Sequence, residues 1–248
     1  MEITLELATY NLAYYEAQLE QSETEMKECP RDSSQWQTAL RKRNEAKSMI
    51  EWARDAVRGQ ASKAQRLKER SNLGARFLHR TFANFDKRRD PTAFSSCHAF
   101  AERDGLFEDR RNSLLILGGY GSGKTHLAAS IANNLVDKSI PALFGTFSEH
   151  LEHIREEFDK DGHRQYLASM KTVPMLVIDD LGKEKKTEWS QQILFDVINY
   201  RYEHILPFVI TTNMNEEELG NYVGGAIYSR MCEACTAVKT SGGDYRKP

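Results

Sequence analysis

A glycine-rich run that ends in lysine and threonine is the part of the sequence best suited to chemistry. Residues 118 to 125 read GGYGSGKT, between the apolar run Leu114–Leu117 and a helical pattern that reaches about Val136. Glycines let backbone N–H groups approach phosphate oxygens, and a helix N-terminus adds partial positive charge. Lys124 is therefore expected to meet the terminal phosphates of ATP or GTP, and the Thr125 hydroxyl to ligate Mg²⁺. The nucleotide-binding residues predicted in this way are Gly118, Gly119, Tyr120, Gly121, Ser122, Gly123, Lys124, Thr125 and His126.

Two acidic residues follow a second apolar run. Met175–Ile178 has the composition of a buried parallel strand, and Asp179 and Asp180 come directly after it. Beside a phosphate loop, Asp179 is predicted to hold the metal and Asp180 to orient or deprotonate the attacking water. The alternative is an Asp pair that only opens a turn. Because Asp180 is shorter than the Glu usual in strong ATPases, we expect slow hydrolysis, or help from Glu184.

A third apolar run, Phe208–Thr212, ends in Asn213. The carboxyl ends of parallel strands meet at one edge of a sheet, so this amide is expected beside the phosphate loop. It is predicted to contact the terminal phosphate or the attacking water. A turn-capping Asn is the alternative, and the residues alone favour neither role.

Charge and composition exclude several classes of protein. A net charge of -2 excludes a globally basic nucleic-acid binder, although a local basic patch remains compatible with it. No apolar run approaches the roughly 20 residues of a membrane-spanning helix. The few cysteines indicate reduced thiols and a cytoplasmic location. Cys232 and Cys235 form only half of a zinc site, so we expect them to pack on one face of a helix without metal.

The chain is expected to have three parts. Residues 1–72 are predicted to form an antiparallel helical hairpin, with an acidic first helix, a basic second helix, and a turn between them at residues 29–34. In the second helix the apolar positions Ala46, Ile50, Ala53, Val57, Ala64 and Leu67 keep helical spacing. Residues 73–112 form a connector whose aromatic side chains need burial, with a helix from about Pro91 to Arg103. Residues 113–248 form the ATPase domain.

Four stretches point to a known family. They are RTFANF at 80–85, GGYGSGKT at 118–125, MLVIDDLG at 175–182 and ITTN at 210–213. Together they resemble the AAA+ helicase loaders of the DnaC/DnaI type, over about residues 75 to 248, a group in which phage-encoded or mobile-element versions are frequent. The resemblance implies an α/β fold: an AAA+ P-loop NTPase core with a parallel sheet, preceded here by the helical hairpin.

The resemblance also implies two further catalytic residues beside Asp180 and Asn213. Arg230 matches an arginine finger that reaches the nucleotide of a neighbouring subunit, and Arg246 matches a second sensing arginine. An ordinary surface arginine is the alternative for Arg230. A finger that acts in trans would make the isolated chain a poor ATPase that assembly stimulates.

The segment from Phe144 to Tyr166 lies where these loaders carry a helical insertion that touches single-stranded DNA. Its bases and aromatics suit such a role, whereas its six acidic residues favour a plain amphipathic helix pair, and both interpretations stay open. The candidate DNA-contacting residues are Phe147, His150, His153, Arg155, Lys160, His163, Arg164 and Tyr166.

The sequence therefore predicts an ATP- and Mg²⁺-dependent helicase loader. Its hairpin would bind a replicative hexameric DNA helicase, and its AAA+ interfaces would mediate self-association. The closest alternative is a transposition-helper ATPase of the IstB type. More distant alternatives are a small-molecule phosphotransferase and a helicase-binding adaptor with a vestigial nucleotide site.

Overall fold

Two compact units make up the chain, residues 1–66 and 67–248. In this computed structural model the described residues are 5–31, 33–156, 163–241 and 243. The predicted hairpin is present as α1 (Leu5–Glu28) and α2 (Ser34–Arg70). The Ser33 hydroxyl accepts a 3.1 Å hydrogen bond from the Trp36 N–H, so it caps the start of α2 as the turn sequence predicts.

Small and apolar side chains form the buried stripe of α2. Ala46, Ile50 and Ala53 are buried, which confirms the predicted stripe at these positions. The side chains of Val57 and Ala64, predicted to continue it, lie outside the described residues. The short alanine side chains leave room for a closely packed neighbouring helix.

Ion pairs join α1 to α2 in antiparallel order. Lys42 Nζ lies 3.3 Å from the Glu25 carboxylate, and the Arg54 guanidinium lies 3.0 Å from Glu16. Basic side chains of α2 therefore pair with acidic side chains of α1, as the opposite charges of the two helices predict. Because all four side chains are partly exposed, each pair contributes only roughly 0–1 kcal/mol. Their main effect is to favour one alignment of the two helices.

The second unit alternates helices and strands. None of the helices in the described part of the chain is both long and apolar enough to span a membrane. The elements of the second unit are α3 (Ala75–Leu78), a 3-10 turn (Phe82–Asn84), α4 (Pro91–Ala101), β1 (Ser113–Leu117), α5 (Lys124–Asp137), β2 (Ala142–Thr146), α6 (Phe147–Glu156), α7 (His163–Thr172), β3 (Met175–Leu181), α8 (Glu188–Glu203), β4 (Phe208–Thr212), α9 (Glu216–Val223), α10 (Gly225–Ala234) and β5 (Cys235–Lys239).

The five strands form one parallel sheet in the order β2-β3-β4-β1-β5. β1 pairs with β4 through Leu114 and Val209, and β3 pairs with β4 through Val177 and Val209. The predicted parallel α/β core is therefore confirmed. Because the strands run the same way, the carboxyl ends of β1, β3 and β4 lie side by side along one edge.

The strands β1 to β4 bury both of their faces, whereas the edge strand β5 is exposed at three of its five residues. Leu114 and Ile116 belong to one apolar cluster with α4 and α5, whereas Leu115 and Leu117 belong to a second cluster with α8 and α10. Alternate side chains of a strand point to opposite faces, so helices cover the sheet on both sides. This double cover explains why the strands read as uninterrupted apolar runs.

The connector packs on the first of these clusters. Phe85 and Phe100 are buried within it, as their need for burial predicts. α4 begins at Pro91 with the Asp90 carboxylate capping the Ala93 N–H at 3.0 Å, and it ends at Ala101 rather than near Arg103. The connector therefore forms a wall of the second unit.

A buried arginine ties two loops of the second unit to α8. Arg201 is fully buried and donates hydrogen bonds to the carbonyls of Met170, Lys171, Pro174 and Pro207, at 2.6 to 3.2 Å. Burial lowers the pKa of its guanidinium to about 9, which leaves it charged at neutral pH. A permanent cation with a fixed fork of donors suits a site made only of carbonyl oxygens.

Candidate nucleotide site

The glycine-rich loop connects β1 to α5. Gly121 and Gly123 have φ of 73° and 89°, in the left-handed region that glycine adopts without strain. Gly118 faces a different constraint, since a Cβ there would lie 1.9 Å from Thr240 Oγ1 and 2.9 Å from the Thr240 carbonyl. Gly119 has open space around it, so packing does not require glycine at that position.

The loop presents a helix N-terminus to the site. α5 begins at Lys124, and Gly123 before it has no side chain with which to cap the helix. The first N–H groups of a helix lack partners within the helix, so those of α5 are suited to bind phosphate oxygens. This geometry fits a nucleotide phosphate chain.

Lys124 joins the loop to the end of β4. Its ammonium donates to the Gly119 carbonyl at 2.7 Å and to Asn213 Oδ1 at 2.8 Å. The side chain is nearly buried, at 5% exposure. The structure therefore brings Lys124 and Asn213 together, as their positions after parallel strands predict.

Asp179 is the buried acid of the site. Burial, reinforced by the charge of Asp180, raises the pKa of its carboxyl to about 6, while hydrogen bonds from the Thr211 and Thr125 hydroxyls oppose this rise. Thr211 Oγ1 lies 2.5 Å from Asp179 Oδ1. A buried carboxylate in contact with the Thr125 hydroxyl is an oxygen donor set that suits Mg²⁺. These two residues fit the predicted metal site.

Asp180 has an unusual backbone for a residue other than glycine. Its φ is 55°, and its N–H donates to Thr211 Oγ1 at 2.9 Å. The Thr211 hydroxyl thus bonds to the side chain of Asp179 and to the backbone of Asp180. The carboxylate of Asp180 forms an ion pair with Lys183, at 2.5 Å.

One pocket of about 430 Å³ contains these groups. It is open to solvent on the side of Tyr120, which is 68% exposed. The loop from Tyr120 to His126 lines it, and the end of β2 contributes Thr146. Its other lining residues are Arg76, Phe77, Arg80, Asn84, Phe85, Asp86, Arg89, Asp179, Asp180, Lys183 and Asn213.

His126 ties the RTFANF stretch to α5. Its Nε2 lies 3.0 Å from the Thr81 carbonyl and 2.9 Å from Asn84 Oδ1, and its Nδ1 lies 3.3 Å from the Arg80 guanidinium. Desolvation lowers the pKa of this imidazole, which favours the neutral ring. The neutral tautomer with a proton on Nε2 satisfies every one of these contacts. His126 therefore holds a wall of the pocket in place.

The residues after β5 support the loop from behind. Ser122 Oγ lies 2.6 Å from Thr240 Oγ1, and the Thr240 N–H donates to the Leu117 carbonyl at 2.8 Å. The Ser241 N–H donates to Asp90, which also caps α4. Sequence reasoning missed these contacts because Thr240 lies 118 residues from its partner in the loop.

Glu184 points away from the predicted chemistry. Its carboxylate accepts hydrogen bonds from the Tyr222 hydroxyl and from the Gly182 N–H. Glu184 does not line the pocket. Its contacts connect the loop after β3 to α9, and they give no support to the expected help in hydrolysis.

Arg230 lies on α10, away from the pocket. It donates to the Ala226 carbonyl at 3.0 Å, and its guanidinium lies 5.9 Å and 5.6 Å from the ring centroids of Phe195 and Tyr202. Within one chain it therefore rests on its own aromatic residues. Arg246 lies outside the described residues, so its predicted role stays a prediction.

The two late cysteines are not on one helical face. Cys232 is exposed on α10, whereas Cys235 is the buried first residue of β5. The expectation that both pack on one helix was therefore wrong, because α10 ends at Ala234. Among the described residues there is no cluster of three or more His, Cys, Asp or Glu side chains that could hold a metal.

The predicted insertion between β2 and β3 consists of α6 and α7. Phe147 and His150 are buried, so neither presents its side chain to DNA, contrary to the candidate list. His150 lies 2.9 Å from the Tyr166 hydroxyl and 3.2 Å from the Val177 carbonyl, and desolvation lowers its pKa to about 4. Arg155 is exposed and lies over the Trp189 ring. Lys160 and the side chains of His163 and Arg164 lie outside the described residues.

A family model for IstB-like ATP-binding proteins matches residues 35–248. The chain belongs to this family. The matched range includes most of α2 and the whole of the nucleotide site. The family is described by ATP binding, and the phosphate loop is the part of this chain suited to that activity.

Three relatives align over about 70% of the chain. The uncharacterized protein YqaM of Bacillus subtilis is 29% identical over 184 residues, which are 70% of this chain and 58% of YqaM. The phage-like element PBSX protein XkdC, also from Bacillus subtilis, is 29% identical over 185 residues, 70% of this chain and 68% of XkdC. The replicative helicase loader DnaC of Escherichia coli K12 is 29% identical over 177 residues, 69% of this chain and 70% of DnaC.

The fold has counterparts among solved structures. The crystal structure of the DnaC helicase loader matches with a TM-score of 0.61 at 22% identity, over 68% of this chain and 100% of that chain. The DnaI structure matches with a TM-score of 0.61 at 21% identity, over 68% of this chain and 95% of that chain. At this identity the likeness concerns the fold, and it confirms the predicted AAA+ architecture.

Proposed function

We propose that this protein is an ATP-dependent helicase loader, which binds a replicative DNA helicase and delivers it onto single-stranded DNA. The observation that carries the proposal is the convergence of Lys124, Asp179 and Asn213 behind one phosphate loop, in a chain 29% identical to the loader DnaC. A complete set of phosphate-binding and acidic groups argues against a vestigial nucleotide site.

The described residues divide the work of nucleotide binding. The α5 N-terminus and Lys124 bind the phosphates, and Thr125 and Asp179 hold Mg²⁺, which supplies charge neutralisation when bound. Asn213 lies within reach of Lys124 and orients either the terminal phosphate or the attacking water. Asp180 accepts the proton of that water once its own ion pair is released.

Hydrolysis is proposed to be slow in the isolated chain. Arg230 does not line the pocket of its own chain, which is compatible with the proposed role as a finger that reaches the site of a neighbouring subunit. Self-association through AAA+ interfaces would then control turnover. ATP binding sets the state of the assembly, and hydrolysis releases the helicase.

The hairpin of α1 and α2 is proposed as the helicase-binding part. Residues 1–66 form a compact unit of their own, and among its described side chains Ala46, Ile50 and Ala53 form the buried stripe of α2. A two-helix unit of this size buries little surface by itself, so it gains stability from a partner. The charged outer faces of the hairpin offer that partner both signs of charge.

Helicase capture and delivery test this function directly. The full-length protein should co-purify with its host's replicative helicase in the presence of ATP, and it should stimulate unwinding of a substrate with a single-stranded region. Lys124→Ala should abolish the stimulation, because the buried ammonium is lost. Lys185→Ala, an exposed lysine outside the pocket, serves as the matched control.

Different outcomes would support different functions. No complex between the full-length protein and the helicase in the presence of ATP would refute the loader. Capture of a transposase instead would support the IstB-type transposition helper. Unchanged loading by the Lys124→Ala protein would identify an adaptor that does not use its nucleotide site. Phosphate transfer to a metabolite would indicate a phosphotransferase.

A further inference from the structure

Lys183 is a second lysine at the nucleotide pocket, and neither the phosphate loop nor the predicted catalytic groups include it. It lies two residues after β3, and its side chain lines the same pocket as Lys124. The Lys183 N–H donates to the Asp180 carbonyl at 3.3 Å, which closes a tight turn. This turn returns the lysine side chain to the acidic end of β3.

The ammonium of Lys183 is held between two groups. It lies 2.5 Å from Asp180 Oδ2 and 5.6 Å from the centroid of the Tyr120 ring. The Lys183 side chain is 47% exposed and that of Asp180 is 23% exposed. The lysine therefore spans the open side of the pocket, from the acid to the exposed aromatic residue of the phosphate loop. A partly exposed lysine on a flexible stem can change partners at little cost.

Asp180 itself has little freedom. Its backbone is in the left-handed region, and the Thr211 hydroxyl fixes its N–H. The carboxylate therefore stays near the turn while the lysine is the mobile partner. Asp180 Oδ2 accepts a hydrogen bond of 2.5 Å from the Lys183 ammonium, so this oxygen is less available to a water molecule.

We propose that Lys183 is a clamp on Asp180 that responds to the γ-phosphate. Without a γ-phosphate its ammonium pairs with Asp180, and with ATP in the pocket the ammonium pairs with the terminal phosphate and releases the carboxylate. The proposal rests on the proposed nucleotide function of the site. It makes Lys183 a residue that distinguishes ATP from ADP, because only ATP offers the competing anion.

The Asp180 carboxylate and the γ-phosphate compete for the Lys183 ammonium. This competition predicts the direction in which an Asp180 substitution changes the contribution of Lys183 to ATP binding. ATP binding must break the ion pair between Lys183 and Asp180. The free energy lost with this ion pair offsets part of the free energy gained from the contact between Lys183 and the γ-phosphate. Removing the Asp180 charge removes the competitor. The contribution of Lys183 to ATP binding should therefore increase when Asp180 is neutral.

Equilibrium binding of AMPPCP and ADP at fixed Mg²⁺ tests the clamp without relying on hydrolysis. In Lys183→Met, affinity for AMPPCP should fall about fivefold, the size of one partly exposed charge contact, whereas affinity for ADP should stay within twofold. Lys183→Arg should keep most of the preference for AMPPCP. Lys185→Met, at an exposed lysine two residues away, should bind both nucleotides as the wild type does.

The same measurement in an Asp180→Asn background completes a double-mutant cycle. There, Lys183→Met should weaken AMPPCP binding by a clearly larger factor than in the wild type. Equal factors in the two backgrounds would overturn the clamp, and so would equal losses of AMPPCP and ADP binding in Lys183→Met. A wild-type protein that binds neither nucleotide would overturn the proposed function as well, whereas normal binding that Lys183→Met leaves unchanged overturns the clamp alone.

Discussion

Thr211 is the residue on which both acidic groups of the site depend. It is fully buried at the end of β4, donates to Asp179 and accepts from the Asp180 N–H. One hydroxyl thus fixes the carboxylate that we propose as the Mg²⁺ ligand and the backbone of the residue that we propose orients the water. A positioning role of this kind needs a donor and an acceptor on one atom, which Thr and Ser both have.

Replacing Thr211 with Val should impair hydrolysis while keeping the fold. Val has nearly the shape of Thr, but it leaves the Asp180 N–H without its acceptor, which costs about 1–3 kcal/mol. We expect a loss of about tenfold or more in kcat, since the acids lose their orientation. Steady-state ATP hydrolysis and urea unfolding measure the two effects. Thr211→Ser, which keeps the hydroxyl, should stay close to the wild type, and full activity in the Val variant would contradict this role.

At the scale of elements, Arg201 links α8 to the loops at its two sides. Its four carbonyl partners lie at the end of α7, before β3 and before β4. The contacts with the Met170 and Pro207 carbonyls are buried and the other two are partly buried, so the cation satisfies several loop groups at once. The result is a fixed starting point for the two strands that end at the nucleotide site.

Arg201→Met should be among the most destabilising single changes in the second unit. The methionine fills most of the space but leaves buried carbonyls without donors, and we expect a loss of about 3 kcal/mol in the free energy of unfolding. Urea unfolding monitored by circular dichroism gives the value. Lys185→Met, on the surface, should change it by less than about 0.5 kcal/mol. Equal stability of the two variants would show that water satisfies these carbonyls.

α6 depends on a neutral histidine, which predicts a pH dependence. His150 is buried and its pKa is lowered to about 4, mainly by desolvation, whereas an unfolded histidine titrates near 6.5. Below about pH 6.5 the unfolded chain binds a proton that the folded chain does not, so stability is lost as pH falls towards 4. The full difference corresponds to about 3 kcal/mol.

Unfolding free energies at several pH values between 4 and 7 would measure this contribution. His150→Gln keeps a donor and an acceptor but does not titrate in this range, so its stability should fall less steeply than that of the wild type below pH 6.5. Carboxylates that titrate near pH 4 affect both proteins alike, and the difference between the two curves isolates His150. Parallel curves would mean that His150 is already accessible to protons.

Sequence reasoning succeeded where the information is local. The loop from Gly118 to Thr125, the apolar strands and the turn before α2 are each encoded within about ten residues, and all are present. The predicted meeting of Lys124 and Asn213 needed only the rule that parallel strands end at one edge. These are patterns of type and period, which a sequence contains directly.

The roles that sequence reasoning missed depend on contacts between residues that are far apart in the chain. Thr211 reads as one more β-branched residue, Arg201 as a charge on a helix, and Thr240 as a residue after a strand. Their roles follow from which strands are neighbours and from how far each side chain reaches. The burial of His150, one of the candidates for DNA contact, was not predicted for the same reason, because it follows from how α6 packs on β2 and β3. Such facts become visible only in three dimensions.

At the scale of the whole molecule, the chain consists of two units. Residues 1–66 contain the hairpin, and residues 67–248 contain every residue that lines the nucleotide pocket. Three arginines of the same chain, Arg76, Arg80 and Arg89, line this pocket, whereas Arg230 does not. Because the proposed finger is Arg230, complete catalytic sites are expected at contacts between copies of the second unit.

Mixed assemblies test this arrangement. Arg230→Ala subunits keep a normal phosphate loop, and Lys124→Ala subunits keep a normal Arg230, so each variant alone should be inactive. In a mixture, a Lys124→Ala subunit can supply Arg230 to the site of an Arg230→Ala neighbour, and part of the hydrolysis should return. The rate at varied mixing ratios is the measurement. A mixture as inactive as the separate variants would refute a finger that acts in trans.

The packing of Thr240 behind Gly118 has a consequence for synthesis on the ribosome. The phosphate loop emerges first. Thr240, whose hydroxyl contacts Ser122 in that loop, lies 118 residues later in the chain. At about 5–20 residues per second, translation needs roughly 6–24 s to supply it. A nascent chain that stops before β5 therefore has the motif without the contacts that support it. We expect ATP binding only after β5 has been translated and has joined the sheet.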